Sequence, residues 1–266
     1  MKKATDYLQK NKASWNKRTE FHVKSDFYQN EAFIKGANSL QSIEMELLGN
    51  IKGKNILHLQ CHFGQDTLSM ARMGAQTTGI DLSDKAIEQA RDLNKQLGLQ
   101  SEFICCDIYD LPNHLDNKFD IVFTSYGTIG WLPDMDKWAA IVSRYLKPGG
   151  QFIFAEFHPF VWMFDDDFSK IQYPYFKADP IIEMEAATYA DGNADINLEC
   201  VTWNHSLSEV ISSLIKQGIE IIDFQEYDYS PYDCFSHTEK IGDKQFRIKH
   251  LGDKVPMVYS VVGRKR

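Results

Sequence analysis

From residue 54 to about 156, short apolar runs alternate with stretches of helical spacing, and this alternation predicts a parallel α/β architecture. Asn55-Ile56-Leu57-His58-Leu59 reads as a strand, Gln60-Cys61-His62-Phe63-Gly64 as a tight turn, and Asp66 to Met73 as a helix. Gln76-Thr77-Thr78-Gly79-Ile80 is a second strand tipped by Asp81, and Ser83 is placed to cap a helix running to Leu97. Further strands are expected at Glu102–Cys106, closing on Asp107, at Phe119–Thr124 and at Gln151–Glu156, with a helix over Asp136–Tyr145 and a tight turn at Lys147-Pro148-Gly149-Gly150.

Beyond Phe157 the rhythm changes. Tyr173 to Trp203 reads as two extended segments around Asp191-Gly192-Asn193, a hairpin signal. Ser206-Leu207-Ser208-Glu209 opens a helix that Gly218 stops, and strands over Glu220–Tyr227 and Pro256–Gly263 follow. The expected fold is α/β: a seven-stranded sheet, mostly parallel with an antiparallel last pair, helices on both faces, and a hairpin insertion after the fifth strand. Ahead of it, Ser39 to Leu48 has amphipathic spacing, and aromatics such as Trp15, Phe21, Tyr28 and Phe33 stand on a polar background.

Composition narrows the chemistry. The net charge of −8 argues against a nucleic-acid backbone as main partner. Five cysteines with no C-x-x-C pair fit neither a disulfide framework nor a zinc site, and the expectation is reduced thiols in a cytoplasmic protein. No apolar run approaches the length of a membrane span. His58 and His62 straddle a strand and a turn, and Asp165-Asp166-Asp167 lacks the spacing of a calcium loop, so no metal is expected. A close-approach turn at a helix N-terminus, followed by a strand-tip carboxylate able to accept from two ribose hydroxyls, suits an adenosine-type cofactor.

The ordered series His58-Leu59-Gln60-Cys61-His62-Phe63-Gly64, Gly79-Ile80-Asp81-Leu82-Ser83, Cys106-Asp107-Ile108, Phe119-Asp120-Ile121-Val122 and Leu146-Lys147-Pro148-Gly149-Gly150 resembles that of class I S-adenosylmethionine-dependent methyltransferases of the small-molecule type, over roughly residues 50 to 160. The resemblance implies a Rossmann-like domain over residues 51–266, with an insertion at about 160–205 and an N-terminal helical cap or lid over 1–50. It implies S-adenosyl-L-methionine as cofactor and in-line methyl transfer to a small molecule. Asp81 would then bind the ribose, with Leu82 beside it, and Asp107 with Cys106 and Ile108 would meet the adenine. Gln60, Cys61, His62 and Gly64 would surround the methionine part, and Ser125 and Tyr126 would lie near the transferred methyl. Tyr126, Glu156 and His158 are the catalytic candidates, the last two as contacts to the acceptor or as a base. Trp131, Phe157, Phe160, Trp162, Trp203 and Tyr229 are candidates for the acceptor pocket, and Arg18 or Lys35 for the cofactor carboxylate.

The chain departs from the family pattern where His58, Gln60 and His62 replace an acid and two glycines. Either the turn stays at negative φ or these side chains touch the cofactor. Two other readings stay open: a non-catalytic adenosyl-ligand-binding relative, and an NAD-dependent oxidoreductase. The acceptor, the acceptor atom, the use of a base and the oligomeric state are not readable from the residues.

Overall fold

A computed structural model describes residues 6–266; the first five residues of the expected cap lie outside it. Three helices precede the sheet: α1 (Tyr7–His22), α2 (Asn30–Ile34) and α3 (Ser42–Leu48). Then come β1 (Asn55–Leu59), α4 (Gln65–Arg72), β2 (Gln76–Asp81), α5 (Asp84–Gln96), β3 (Glu102–Cys105), β4 (Phe119–Ser125), α6 (Met135–Tyr145) and β5 (Leu146–Phe157). The insertion holds β6 (Ile181–Ala186) and β7 (Asn197–Thr202), and the chain continues through α7 (Leu207–Lys216), β8 (Ile219–Tyr227), β9 (Thr238–Gly242), β10 (Gln245–Ile248) and β11 (Val258–Lys265).

The main sheet has the order β3-β2-β1-β4-β5-β11-β8. Its first five strands are parallel, while β11 runs antiparallel to both β5 and β8, as expected. The order reverses between β1 and β4, so a crevice opens outside their carboxyl ends, the usual ligand position in such sheets. The local signals behave as read: the Ser83 hydroxyl accepts from Ala86 N and caps α5, and Ser206 accepts from Glu209 N and caps α7. The Lys147–Gly150 segment is a kink within a longer β5 rather than a turn before it. The β9–β10 hairpin was not expected; its residues are mostly polar and partly exposed, so they carry no apolar alternation to read.

The helix α1 is unusual in what it buries: Asn11, Ser14, Arg18, Thr19 and His22 form a polar stripe at helical spacing. Buried polar groups need partners, and these find them across the molecule. Asn11 donates to Val201 O at 2.8 Å and accepts from Val201 N at 2.9 Å, both on β7. Arg18 pairs with Glu185 on β6, and its guanidinium lies 5.4 Å from the Trp15 ring centroid and 5.7 Å from that of Trp131. The insertion hairpin and α1 therefore form one roof. Asn11→Ala removes both bonds to Val201 and leaves its buried backbone groups unpaired, a cost of about 1–3 kcal/mol. Amide exchange across α1 should rise in that variant, measured by mass spectrometry; unchanged protection would mean that other contacts hold the helix.

Candidate functional site

The first turn keeps the geometry that glycines usually supply, with Gly64 the one glycine in it. Gln60, His62 and Gly64 all lie in the left-handed region, with φ of 55°, 51° and 83°. The turn thus does not stay at negative φ, and two side-chain-bearing residues carry a strain of about 1–2 kcal/mol each. Such strain persists only where the surroundings over-determine it, and here they do. The Gln60 amide donates to Thr128 O at 2.8 Å, tying the turn to the loop after β4, while the His62 backbone N–H donates to Asp81 Oδ2 at 2.8 Å. At Gly64 a Cβ would come within 2.8 Å of the Phe103 ring, so that position admits no side chain without a shift.

Asp81 ends β2 beside this turn. Its second oxygen accepts from Ser83 N at 2.8 Å, and burial outweighs the backbone donors to push its pKa up to about 6. Each oxygen keeps a further lone pair. Asp107 stands at the next strand tip, where Oδ1 accepts from Tyr109 N at 3.2 Å and burial raises the carboxyl above its usual range. Leu82 follows Asp81, while Cys106 and Ile108 are buried in the core around Asp107. Cys61 packs against the face of Gly79, its thiol pushed well up by burial.

Above the turn, His62 meets the roof. His62 Nε2 lies 2.9 Å from His22 Nδ1, and His22 Nε2 lies 2.5 Å from Thr188 Oγ1. The rings of Trp15, Tyr28 and Phe63 surround His62 at 4.7–5.5 Å. Burial, with Arg18 in the same sense, pushes the His62 pKa down to about 3, so the ring is neutral. Two buried atoms here have no partner, Gln60 Oε1 and His62 Nδ1, and both belong to the turn. A buried acceptor without a donor is costly and marks where a ligand group would be expected.

Beyond β4 the loop Tyr126–Ile129 is built on Glu156. The Tyr126 backbone takes a φ of 29° and Gly127 one of 69°. Glu156, 2% exposed, accepts from the backbone N–H groups of Gly127, Thr128 (2.8 Å), Ile129 (3.2 Å) and Phe157 (2.7 Å) and from the Thr128 hydroxyl (3.0 Å). The expectation of Glu156 as an acceptor-facing base is therefore corrected, because its lone pairs are engaged by the loop. His158 is held on one side only: its Nδ1 accepts from Phe160 N at 3.1 Å, while its buried Nε2, 2.9 Å from Glu226 on β8, makes no hydrogen bond.

Ser125 ends β4 and Tyr126 follows it, both part-exposed, the Tyr126 hydroxyl donating to Glu44 Oε2 at 2.9 Å. Of the pocket aromatics, Trp131 reaches the roof beside Trp15 and Phe157 packs on Tyr126, whereas Phe160 packs on Phe164, Trp162 on Phe157 and Phe235, Trp203 on Tyr7, and Tyr229 on Tyr227. Lys35 is exposed beside Glu31, and Arg18 is already paired. Glu44, which holds the Tyr126 hydroxyl, and Thr128, which holds the Gln60 amide, carry no expectation from the sequence. Glu44 sits among Ile43, Met45, Leu47 and Leu48 of an amphipathic helix, and a lone acid in such a stripe was the available signal. Among the described residues no group of three or more His, Cys, Asp or Glu could hold a metal, and no helix is long and apolar enough to cross a membrane.

Comparison with known proteins bears on this arrangement. Residues 56–150 match the family model described as a methyltransferase domain. A ubiquinone biosynthesis O-methyltransferase of Chromobacterium violaceum is 29% identical over 141 residues, 53% of this chain and 56% of the relative. An uncharacterized methyltransferase of Synechocystis is 32% identical over 133 residues, 49% of this chain and 60% of the relative. The chain thus spans little more than half the length of these curated relatives. Among solved structures, an S-adenosylmethionine-dependent methyltransferase of Clostridium acetobutylicum aligns with a TM-score of 0.58 at 19% identity, covering 94% of this chain and 98% of that one. One of Mesorhizobium loti aligns with a TM-score of 0.57 at 21% identity, covering 87% and 100%. These likenesses show the fold.

Proposed function

We propose that this chain, whose residues 56–150 form a class I methyltransferase core, is an S-adenosylmethionine-dependent methyltransferase of a small-molecule acceptor. The observation that carries the reading is the turn after β1. It holds left-handed backbone at Gln60 and His62 against their side-chain preference, directly below the strand-tip carboxylate of Asp81 and at the point where the strand order reverses.

The residues present fit the cofactor. Asp81 would accept from the two ribose hydroxyls with its remaining lone pairs, and Asp107 from an exocyclic amine, with Leu82, Cys106 and Ile108 closing around the ring. The unpartnered Gln60 Oε1 is an acceptor of the kind an ammonium group requires, with Cys61, His62 and Gly64 shaping the same turn. The bound cofactor would supply a methyl group already activated by its sulfonium. The chain's own residues then need to orient an acceptor and exclude water. Glu156 fixes the Tyr126–Ile129 loop from below and acts as a positioning residue. Ser125 and Tyr126 would line the crevice above it. The roof of α1 and the insertion hairpin would cover the cofactor side through Trp15 and His22, joined by Tyr28 from the segment after α1, the lid role read for residues 1–50.

Calorimetric titration with S-adenosylhomocysteine tests the reading. Low-micromolar binding is expected, and Asp81→Ala should weaken it at least tenfold, since hydrogen bonds to a charged group contribute about 1.5–3 kcal/mol each. Near-normal affinity in that variant would refute the ribose assignment. No binding to the unaltered protein would favour a non-catalytic relative.

A further inference from the structure

The first turn spends most of its own backbone. The N–H groups of Cys61, His62 and Gly64 donate to Ile80 O at 2.8 Å, to Asp81 Oδ2 at 2.8 Å and to Cys61 O at 3.0 Å, so three donors that such a turn could offer a ligand are already bound. What remains open lies on two side chains. Gln60 Oε1 and His62 Nδ1 are buried without a hydrogen-bond partner, on residues that are themselves part-exposed, and these are the two positions where side chains stand in place of glycine. The two cations expected for the cofactor carboxylate are engaged elsewhere: Arg18 pairs with Glu185, and Lys35 is exposed beside Glu31.

What His62 Nδ1 presents is decided at the far end of a chain of three side chains. His62 Nε2 lies 2.9 Å from His22 Nδ1 and His22 Nε2 lies 2.5 Å from Thr188 Oγ1, so turn, helix and insertion hairpin are joined in series. Burial holds both rings neutral, and a neutral imidazole carries one N–H, so placing one hydrogen of the chain places them all. The Thr188 oxygen accepts from Ala190 N at 3.3 Å, and among the described residues its hydroxyl hydrogen has only His22 Nε2 to meet. If Thr188 donates there, His22 donates from Nδ1 to His62 Nε2, and the His62 Nδ1–H alone is left unpaired. With the opposite polarity the Thr188 hydrogen and the His62 Nδ1 lone pair are both unpaired. Each unpaired buried polar group costs stability, so the polarity that leaves one is favoured over the polarity that leaves two.

The turn thus holds an N–H donor and a carbonyl acceptor two residues apart, both buried and unpartnered, and these match the two charged ends of an α-amino acid. Resting on the S-adenosylmethionine reading above, we infer that the insertion hairpin sets the proton of His62: Thr188, through His22, holds His62 as an Nδ1–H donor for the carboxylate of the cofactor's amino-acid part, while Gln60 Oε1 takes its ammonium. Thr188, which lies outside the turn, is then a positioning residue for cofactor recognition.

Two measurements on the full chain test this. A long-range proton–nitrogen correlation spectrum of the labelled, ligand-free protein reads the tautomers without any substitution; His22 and His62 should both carry their hydrogen on Nδ1, and a hydrogen on Nε2 of either ring overturns the inference. Calorimetry then compares S-adenosylhomocysteine with 5′-methylthioadenosine, a nucleoside thioether that lacks the amino-acid part. His62→Gly, which places a residue at ease in the left-handed region, should weaken S-adenosylhomocysteine about tenfold or more and leave 5′-methylthioadenosine within about twofold. Thr188→Val should lower the ratio of the two affinities about two- to fourfold, because only molecules with the right tautomer then receive the carboxylate, and Thr188→Ser should restore it. The two positions lie on different elements, so loss of folding in one variant leaves the other to report. An unchanged ratio in either variant overturns the inference, as does equal weakening of both ligands, the mark of a merely structural role. If the unaltered protein binds neither ligand, the cofactor reading falls and the clamp with it; if it binds S-adenosylhomocysteine no tighter than 5′-methylthioadenosine, the cofactor reading stands and the clamp alone falls.

Discussion

Glu156→Gln is expected to lower the melting temperature by roughly 10 °C, the shift that a loss of about 3–5 kcal/mol gives in a chain of this size. The carboxylate accepts from four backbone N–H groups and one hydroxyl while almost wholly buried. A carboxamide keeps one oxygen and sets an –NH2 against donors that have no other partner, so several N–H groups lose their acceptor at once. Because three of those four N–H groups belong to the loop after β4, S-adenosylhomocysteine affinity should fall together with stability. A residue serving only as a base would behave differently: its Gln variant would keep both fold and ligand affinity and lose turnover alone. Thermal melts and calorimetry on the same sample decide between the two.

Three histidines, His22 and His58 buried and His62 part-exposed, should make the fold sensitive to acid. Burial pushes His58 down to about 3, and burial with neighbouring positive charge pushes His22 to about 2 and His62 to about 3. Below an unfolded pKa near 6.5 the unfolded chain binds protons that these rings refuse, so their contribution to stability is complete above that value and is lost as the pH falls toward the folded ones. At pH 5 each forfeits about 2 kcal/mol. Glu44 and Asp81, raised to about 7 and about 6, act in the opposite sense, because the folded state takes up protons there first. Asp66, Asp107 and Glu156, also raised by burial, oppose the histidines as well. The clean measurement is therefore a difference. His58 holds Thr67 Oγ1 at 2.8 Å and touches no other titratable side chain by hydrogen bond, so His58→Asn removes one proton-refusing ring. The stability gap between the two proteins, from urea unfolding, should shrink by about 2 kcal/mol between pH 8 and pH 5. A constant gap would mean that His58 is protonated in the folded state.

How far the sequence reveals this molecule depends on which force builds each part. Strands β1 to β5 are legible because apolar runs and strand-tip acids report burial and turn position directly, and Ser83 and Ser206 announce their helices through a hydroxyl that only a cap needs. The roof is much less legible. The buried stripe of α1 is polar, and its partners lie on a hairpin that the helix cannot specify by apolar spacing. The left-handed Gln60 and His62 are opposite to what residue preference suggests, since the conformation is imposed by Thr128 and Asp81 from outside the turn. Glu156 looks like a base from its place at a strand end, and only the loop folding back over it reveals a bracket. Glu44 gains its meaning from Tyr126, 82 positions further along the chain, which no local pattern encodes.

The Asn11–Val201 clasp joins groups 190 positions apart. On a ribosome adding about 5–20 residues each second, α1 emerges on the order of ten seconds or more before its partner strand exists. During that interval Asn11 and Arg18 of the stripe must remain hydrated, since no segment yet made offers the Val201 and Glu185 groups they pair with in the finished protein. A polar stripe is suited to that wait: an apolar one would have sought burial against the growing sheet or a neighbouring nascent chain. The same side chains that make the roof hard to read thus keep the earliest helix soluble until the insertion arrives to receive it.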